Sequence, residues 1–420
     1  MVKIKKYENG STLISQTDKR TKYSSFCLFV DVGAQDEKEN EYGVAHFLEH
    51  IFFKSTKKMQ TSDISKHLES LGAYINAQTG LERTQYVFRC LTENLEPCLK
   101  MYAEMFYEGK FDKEEIDKER SVVLEEIKRS QDNSQQTAYL NGQLSLFHNQ
   151  PFGHKVLGTE EVIKNISIEE IKSFKKRTYK PNNIYFSVYS NENFEKINSL
   201  IEKYFKTGPE KLNIKKENTK EKVTLNPKQK YVIQEKNDKQ VNLYALIKTS
   251  GYMEKQKVDK TLLYSAILGG GLSSRMFIEL REKLGLAYSA GAGLNIFKNC
   301  GFLAMYIATS PEKVKTALTG MKLILKDLAE DGISNDELQK VKNKEKSNII
   351  FHQDNKLNIA CTNARSFSIF GKIKSLKQRI KRFDKITVED INKIAKEIYN
   401  EDKIVVSAVG KGFSPEDLNF

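Results

Sequence analysis

The amino-acid sequence predicts an α+β protein made of two homologous tandem domains, each a largely antiparallel sheet covered by helices. Three observations support this fold class. The length of 420 residues suits two domains of about 200 residues each. Alternating segments typical of strands are interspersed with amphipathic segments typical of helices. Three landmarks of the first half also return in the same order in the second half, as expected after a tandem duplication.

The repeated landmarks are three pairs of segments, separated by 213 to 222 residues. The pairs begin at Phe111 and Ile333, at Ser167 and Thr387, and at His67 and Leu280. Both members of the first pair end in Gln-Asp-Asn. Both members of the second pair predict a helix that opens with a Ser/Thr-x-Glu cap and is followed by a Tyr and a strand.

A polar segment separates the two halves. Residues 207–229 are poor in apolar side chains and rich in Lys, Asn and Glu, which is typical of an interdomain linker. The expected domains are therefore residues 1–206 and residues 230–420.

Each half predicts the same succession of elements, namely a strand, a helix, a strand pair, a long helix, another helix and a final strand. Residues 84–90 and 302–309 alternate between apolar and polar side chains, as strands do. Residues 95–107 and 314–329 have the spacing of amphipathic helices. Helices are therefore expected to cover one face of each sheet.

The composition is that of a charged globular protein. Lys and Arg number 68 against 55 Asp and Glu, but the lysines are spread among glutamates, so the net charge of +13 predicts no nucleic-acid partner. Apolar runs fall far short of the roughly 18 residues of a spanning helix, and the start MVKIKKYENG lacks the apolar region of a signal peptide. We therefore expect no membrane partner and a cytoplasmic location. The five scattered cysteines also fit a reducing compartment.

The segment HFLEH, residues 46–50, carries the most informative chemistry. His46 and His50 are four residues apart, so on a helix both imidazoles project from one face and can bind a single Zn²⁺. Glu49 lies three residues after His46, where a carboxylate can take a proton from a water molecule that the metal activates. The surrounding residues are apolar, which suits a dry metal site. This is the H-x-x-E-H pattern of inverted zinc-binding helices.

A catalytic zinc site needs a third protein ligand, and the helix predicted around residues 117–130 offers three glutamates. Glu126 is the expected ligand, and Glu119, two turns earlier on nearly the same face, is expected to support the site. Glu125 points roughly 100° away from Glu126 and is expected to belong to the charged surface.

Several segments together resemble the pitrilysin or M16 metallopeptidase family. They are HFLEH, Glu126, LESLGAYINAQT, PFGHKVLGTEE from Pro151 and GGGLSSRMFIELREKLGLAYS from Gly269. The resemblance runs nearly end to end and is to the half-length branch, which includes mitochondrial processing peptidase and its bacterial relatives. It implies two homologous domains per chain and two chains that close like a clamshell around a peptide. It also implies that His46, His50 and Glu126 bind zinc, with Glu49 as general base and Glu119 in support.

The same resemblance implies substrate-binding residues. The family uses an Arg and a Tyr, seven apart, from the facing unit, and Arg281 and Tyr288 have this spacing. Residues 76–79, which include Asn76 and Ala77, match the edge where the family pairs substrate as an added strand. Because one chain carries both the zinc motif and the Arg/Tyr pair, a homodimer could complete its own sites, unlike the processing peptidases, which divide the two motifs between unlike subunits.

These features predict a zinc endopeptidase that cleaves unfolded peptides or presequence-like segments in an enclosed chamber. We expect one Zn²⁺ per chain, because the second half places Asn348 where the first has Glu126. Two alternatives remain open at this point. The chain could be a non-catalytic peptide-binding or assembly subunit, or it could be an active subunit that needs a separate partner chain.

Overall fold

The computed structural model describes residues 2–208, 227–418 and 420, so residues 209–226 of the predicted linker lie outside the described residues. The strands, in chain order, are β1 (Val2–Lys6), β2 (Thr12–Thr17), β3 (Tyr23–Val30), β4 (Tyr74–Thr79), β5 (Thr84–Leu91), β6 (Ile184–Ser190), β7 (Tyr231–Glu235), β8 (Val241–Ser250), β9 (Ser289–Ile296), β10 (Cys300–Thr309) and β11 (Ile404–Gly410).

The α-helices are α1 (Val44–Phe52), α2 (Thr61–Ser70), α3 (Leu95–Glu108), α4 (Lys113–Asp132), α5 (Ser134–Leu146), α6 (Glu160–Asn165), α7 (Ile168–Thr178), α8 (Phe194–Tyr204), α9 (Lys255–Gly269), α10 (Val314–Glu330), α11 (Asn335–Phe351), α12 (Lys356–Phe370), α13 (Leu376–Lys381) and α14 (Val388–Ile398). A π-helix spans Phe277–Lys283. No helix among the described residues combines the length and the apolar character that crossing a membrane requires.

The described residues form two compact units, each with its own sheet. Unit 1 contains the described residues of 1–128, 154–217 and 352–374, and unit 2 contains those of 129–153, 218–351 and 375–420. Each unit therefore includes a segment from the other half of the sequence.

The sheet of unit 1 has six strands in the order β1-β2-β6-β3-β5-β4. Only the pair β2 and β6 is parallel. One face packs on a large apolar core that includes Phe26, Phe88 and Tyr102, while α12 covers the other face through residues such as Phe367. Because both faces are covered, the central strand β3 is buried along nearly its whole length.

The sheet of unit 2 has five strands in the order β7-β11-β8-β10-β9, and again only one pair, β7 and β11, is parallel. Helices including α9 and α10 cover one face. Helix α5 packs on β8 and β11 at the other face, where Tyr139 lies 5.6 Å from Tyr244 and 5.8 Å from Phe302 between ring centroids. Helices α5 and α12 begin 222 residues apart, at Ser134 and Lys356, so they are equivalent in the predicted duplication.

The predicted fold class is confirmed, with two mainly antiparallel sheets, each covered by helices. The two strands and two helices predicted in most detail correspond to β5, β10, α3 and α10, with ends that differ by two residues at most. We expected helices on one face of each sheet. In the structure both faces are covered, because a helix from the opposite half of the sequence packs on the second face of each sheet. The clamshell dimer stays a prediction.

Candidate metal centre

Helix α1 presents the two histidines of HFLEH from one side. Its apolar residues are buried in the core of unit 1: Val44, Ala45, Phe47, Leu48, Ile51 and Phe52. His46 and His50 project together, with ring centroids 4.6 Å apart, and their side chains are 13% and 16% exposed. The sequence spacing therefore produces the predicted pair of adjacent imidazoles.

The start of α1 is held by a buried carboxylate. Glu37 accepts hydrogen bonds from the backbone N–H of Gly43 at 2.9 Å and of Ala45 at 2.8 Å, and its side chain is fully buried. Nε2 of His154 lies 3.4 Å from Glu37 and 2.7 Å from the carbonyl oxygen of Ala34. Gly43 has φ 99°, and a Cβ there would lie 2.7 Å from the carbonyl oxygen of Leu157, so glycine is required. These contacts fix the first turn of the helix that carries the histidines.

Helix α4 brings a carboxylate to the same point. Oε2 of Glu126 lies 3.6 Å from Nε2 of His46 and 3.5 Å from Nε2 of His50. One donor atom from each of these three residues lies within 4.8 Å of the others. Glu125 instead points outward, 71% exposed, and pairs with Lys128 at 2.7 Å. The structure thus brings His46, His50 and Glu126 together and separates Glu125 from them.

These three residues fit a zinc ion. Two imidazoles and a carboxylate are the donors of many catalytic zinc sites, and tetrahedral ligands about 2 Å from zinc lie roughly 3.3 Å apart, close to the two distances from Glu126. In addition, Nδ1 of His46 is buried and has no hydrogen-bond partner among the described residues. Burying an imidazole with so few polar contacts is unfavourable, and a cation bound at Nε2 would offset that cost.

Glu119 orients the second histidine. Its Oε2 lies 3.1 Å from Nδ1 of His50, and its Oε1 lies 2.5 Å from Nζ of Lys54. If Nδ1 of His50 carries the proton and donates a hydrogen bond to Glu119, Nε2 keeps its lone pair on the side of Glu126. Glu119 therefore contacts His50 at Nδ1, while Nε2 faces Glu126, and Lys54 pairs with Glu119. The supporting role of Glu119 at a metal site stays a prediction.

The two histidines have opposite pKa shifts. Burial, followed by the nearby charge of His50, lowers the pKa of His46 to about 3. Burial also disfavours the charged form of His50, but the hydrogen bond to Glu119 and the charges of Glu126 and Glu49 outweigh it and raise the pKa. Burial likewise opposes ionisation of Glu119, yet its bonds to His50 and Lys54 lower its pKa. His46 is thus neutral, as a ligand must be.

Glu49 lies on α1 beside the histidines and is linked to the sheet. Its Oε2 accepts a hydrogen bond of 2.8 Å from the hydroxyl of Thr79, the last residue of β4. Burial raises the pKa of Glu49, and Glu126 adds to the effect, while the bond from Thr79 and the charge of His50 oppose it. A carboxyl group with a raised pKa suits proton transfer near neutral pH.

Asn76 and Ala77 lie on β4, which is the edge strand of the sheet of unit 1. Among the described residues the strand pairs with β5 alone, Asn76 opposite Val87 and Ala77 opposite Tyr86. Oδ1 of Asn76 accepts a bond of 2.9 Å from the N–H of Ala77. The predicted substrate edge is therefore an edge strand, and it ends at the residue that contacts Glu49.

Arg281 and Tyr288 lie in unit 2 and contact each other. Arg281 is in the π-helix, with its guanidinium 4.6 Å from the ring centroid of Phe277 and 4.9 Å from that of Tyr288. Tyr288 immediately precedes β9 and is 82% exposed. The ring of Tyr288 is therefore oriented by a cation–π contact while most of its surface is available for binding.

Two family models match the chain in succession. The model described as Insulinase (Peptidase family M16) matches residues 12–160, and that described as Peptidase M16 inactive domain matches residues 165–345. The chain belongs to peptidase family M16. The first match contains all of the candidate zinc ligands, and the second contains Arg281 and Tyr288.

Similar proteins cover nearly the whole chain. An uncharacterized zinc protease of Rickettsia bellii is 29% identical over 99% of this chain and 98% of its own length. The uncharacterized zinc protease YmxG of Bacillus subtilis is 27% identical over 95% of this chain and 96% of its own. The crystal structure of a protease from Helicobacter pylori shares the fold, with a TM-score of 0.88 at 22% identity, over 98% of this chain and 99% of that one.

Three contacts of the site could not be read from sequence. Thr79 bonds Glu49 on α1, Lys54 bonds Glu119 on α4, and Glu37 bonds the start of α1. The tertiary fold brings each pair together, and helical spacing does not predict these contacts. Thr79 ends the segment that the resemblance had indicated for substrate, which is the one available signal. Nothing in the local sequence distinguishes Glu37 or Lys54 from the many other charged residues.

Proposed function

We propose that this chain is a zinc endopeptidase that cleaves unfolded peptides. The observation that carries the proposal is the convergence of Nε2 of His46, Nε2 of His50 and Oε2 of Glu126, with Glu49 one residue before His50. A carboxylate next to a three-ligand site is the arrangement that metal-assisted peptide hydrolysis requires.

The residues divide the chemistry as follows. A zinc ion held by His46, His50 and Glu126 would act as a Lewis acid toward water and the scissile carbonyl. Glu49 accepts a proton from the attacking water and returns it to the leaving amine. Thr79 holds Oε2 of Glu49, which leaves Oε1 to exchange the proton. Glu119 and Lys54 fix the orientation of His50.

The edge strand β4 supports an extended substrate. A peptide that adds as a strand to the edge beside Asn76 and Ala77 would run toward Thr79 and Glu49. Pairing of its backbone with β4 would therefore position the peptide bond to be cleaved near Glu49. Pairing of this kind requires an unfolded segment, so folded proteins are poor substrates and short flexible peptides or presequence-like segments are good ones.

Arg281 and Tyr288 are proposed to complete the site from a second copy of the chain. The exposed hydroxyl of Tyr288 can donate to the oxygen of the scissile carbonyl, and Arg281 can anchor the substrate backbone or a carboxylate. The proposal rests on the family resemblance and on the contact between the two side chains. A homodimer would then contain two equivalent sites.

Metal dependence tests the function. The purified chain should cleave a fluorogenic unstructured peptide, lose this activity after chelation and dialysis, and regain it when about one equivalent of Zn²⁺ is restored. If the zinc-loaded chain binds the peptide at that site without cleaving it, the chain is a non-catalytic subunit. If cleavage appears only after a separate partner chain is added, the homodimer proposal is wrong.

A further inference from the structure

A cavity in unit 1 is lined by residues that take no part in the proposed reaction. It has a volume of about 230 Å³ and lies where the end of α3, the end of α7 and the start of β6 meet. Four aromatic residues line it, Phe106, Tyr107, Tyr179 and Phe186. Aromatic walls of this kind favour a flat or apolar ligand body.

Three lysines line the same cavity. Lys176 lies in α7, Lys180 follows that helix, and Lys206 follows α8. None of their ammonium groups forms an ion pair within the described part of the chain, and Nζ of Lys206 lies 4.8 Å from the ring centroid of Tyr107. The nearby carboxylate of Glu108 is paired with Lys57 at 2.7 Å. The cavity therefore carries an excess of positive charge.

Several uncharged polar groups that line the cavity already have protein partners. Nδ2 of Asn9 donates to the carbonyl oxygen of Lys206 at 2.6 Å, and the hydroxyl of Ser11 lies 2.7 Å from Oδ1 of Asn9. The hydroxyl of Tyr179 lies 2.9 Å from that of Tyr86. The polar groups left for a ligand are thus chiefly the lysine ammonium groups, which are donors only.

We propose that this cavity binds a small organic anion with a flat aromatic body and a carboxylate or phosphate group. The body packs on the aromatic walls, and the anionic group lies between Lys176, Lys180 and Lys206. A volume of 230 Å³ admits a single ring with one anionic substituent. The site goes beyond the proposed peptidase function and uses none of its residues.

The ligand would contact Tyr179, which is linked to helix α1 through Tyr86. Tyr179 bonds Tyr86, whose ring stacks on that of Phe52 in α1 with centroids 4.0 Å apart. One wall of the cavity is therefore continuous with the packing of the helix that carries the histidines.

Calorimetric titration of the zinc-loaded full chain with phenyl phosphate tests the proposal. Wild type should bind it at least tenfold more tightly than inorganic phosphate, which has no ring, or phenol, which has no charge. The double variant Lys176→Gln/Lys180→Gln should weaken phenyl phosphate binding at least tenfold. The control Lys66→Gln/Lys100→Gln, at exposed lysines of α2 and α3, should bind as wild type does.

Several results would overturn the proposal. One is that wild type does not bind phenyl phosphate at millimolar concentration. Another is that the two double variants bind phenyl phosphate equally. A third is that wild type has the same affinity for inorganic phosphate as for phenyl phosphate, which would place the ligand elsewhere, at the metal for instance. Lys66, Lys100 and Lys176 are exposed and Lys180 is half-buried. The melting temperature of each double variant should equal that of wild type, which shows that a loss of binding is not due to unfolding. The binding measurement does not depend on peptide cleavage, so the two proposals can fail separately.

Discussion

Glu126 is the most exposed of the three candidate ligands. Its side chain is 41% exposed, against 13% for His46 and 16% for His50. The imidazoles thus form the closed side of the site, and solvent reaches it beside the carboxylate. Water and peptide are expected to enter from that side, where an open coordination position is needed.

Substitution of Glu126 tests whether this residue is a zinc ligand or an ordinary surface carboxylate. Glu126→Gln replaces the one charged donor among the three proposed ligands by a neutral amide. The zinc dissociation constant should therefore rise by roughly a hundredfold or more, and the zinc content should fall after dialysis against a weak chelator. Glu125→Gln is the matched control, because Glu125 is exposed and, within the described part of the chain, its ion pair is with Lys128 on the surface. Equal zinc retention by the two variants would show that Glu126 is not a ligand.

Asp36, just before Glu37, is expected to make stability depend on pH. Burial, opposed by the bond from the N–H of Gly33, raises the pKa of Asp36 to about 7. The folded state then favours the protonated form, so stability falls as pH rises from about 4, the unfolded value, to 7 and stays reduced above that. Asp36→Asn stays neutral and should be more stable than wild type at pH 8 by about 2 to 4 kcal/mol.

Urea unfolding at pH 4.5 and pH 8 measures this effect. The stability difference between Asp36→Asn and wild type should be large at pH 8 and small at pH 4.5. A difference that is the same at both pH values would mean that Asp36 ionises normally in the folded protein.

At the residue scale, sequence reasoning could place side chains where one helix determines the geometry. The shared face of His46, Glu49 and His50 follows from helical periodicity, and the separation of Glu126 from Glu125 follows from the 100° rotation per residue. The catalytic and metal-binding roles of these residues stay predictions. Thr79, Lys54 and Glu37 could not be found in this way, because their partners are distant in sequence and meet them only through the tertiary fold.

Among the elements, helix α1 is held at its start by a side chain outside the helix. Glu37 bonds two backbone N–H groups at the start of the helix, which a helix cannot satisfy internally. Glu37→Gln replaces one acceptor oxygen by an NH₂ group that faces a donor. The expected loss is about 1 to 3 kcal/mol, which corresponds to a melting temperature lower by roughly 3 to 8 °C.

Glu39→Gln provides the control for this prediction, because Glu39 is exposed two residues away. Thermal unfolding followed by circular dichroism should show a shift for Glu37→Gln and none for Glu39→Gln. If the two variants melt together, the buried carboxylate does not anchor the helix.

Strands and amphipathic helices could be predicted from the sequence. That α5, from the first half, packs on the sheet of unit 2 and that α12, from the second half, packs on the sheet of unit 1 could not be predicted. Most strands have the expected alternation or apolar run, and α10 has a clear apolar side. Helix α5 buries mainly small and polar residues, among them Ser134, Thr137 and Gln143, so it lacks an apolar stripe. Even a clear stripe would indicate only that a helix is buried, and not which sheet it covers.

For the whole molecule, the central question of assembly is whether Arg281 and Tyr288 serve the zinc of a second chain. Glu49→Gln retains the Arg/Tyr pair, and Tyr288→Phe retains the zinc site. Random exchange between the two variants makes about half of the dimers mixed, and each mixed dimer has one intact site of two. The mixture should therefore regain roughly a quarter of wild-type activity.

This mixing experiment requires that Tyr288→Phe alone be strongly impaired and that subunit exchange be demonstrated with differently tagged chains. Activity that stays at the level of the separate variants, despite exchange, would mean that each chain completes its own site. The zinc chemistry would be unaffected by that result.

The most direct test of the peptidase account compares zinc content and peptide cleavage in wild type and Glu49→Gln, with Glu125→Gln as control. All three proteins should bind about one zinc per chain, because Glu49 is not among the proposed ligands. Cleavage of an unstructured fluorogenic peptide should fall by roughly a hundredfold to ten-thousandfold in Glu49→Gln alone. Full cleavage by a zinc-loaded Glu49→Gln protein, or no cleavage by zinc-loaded wild type, would contradict the account.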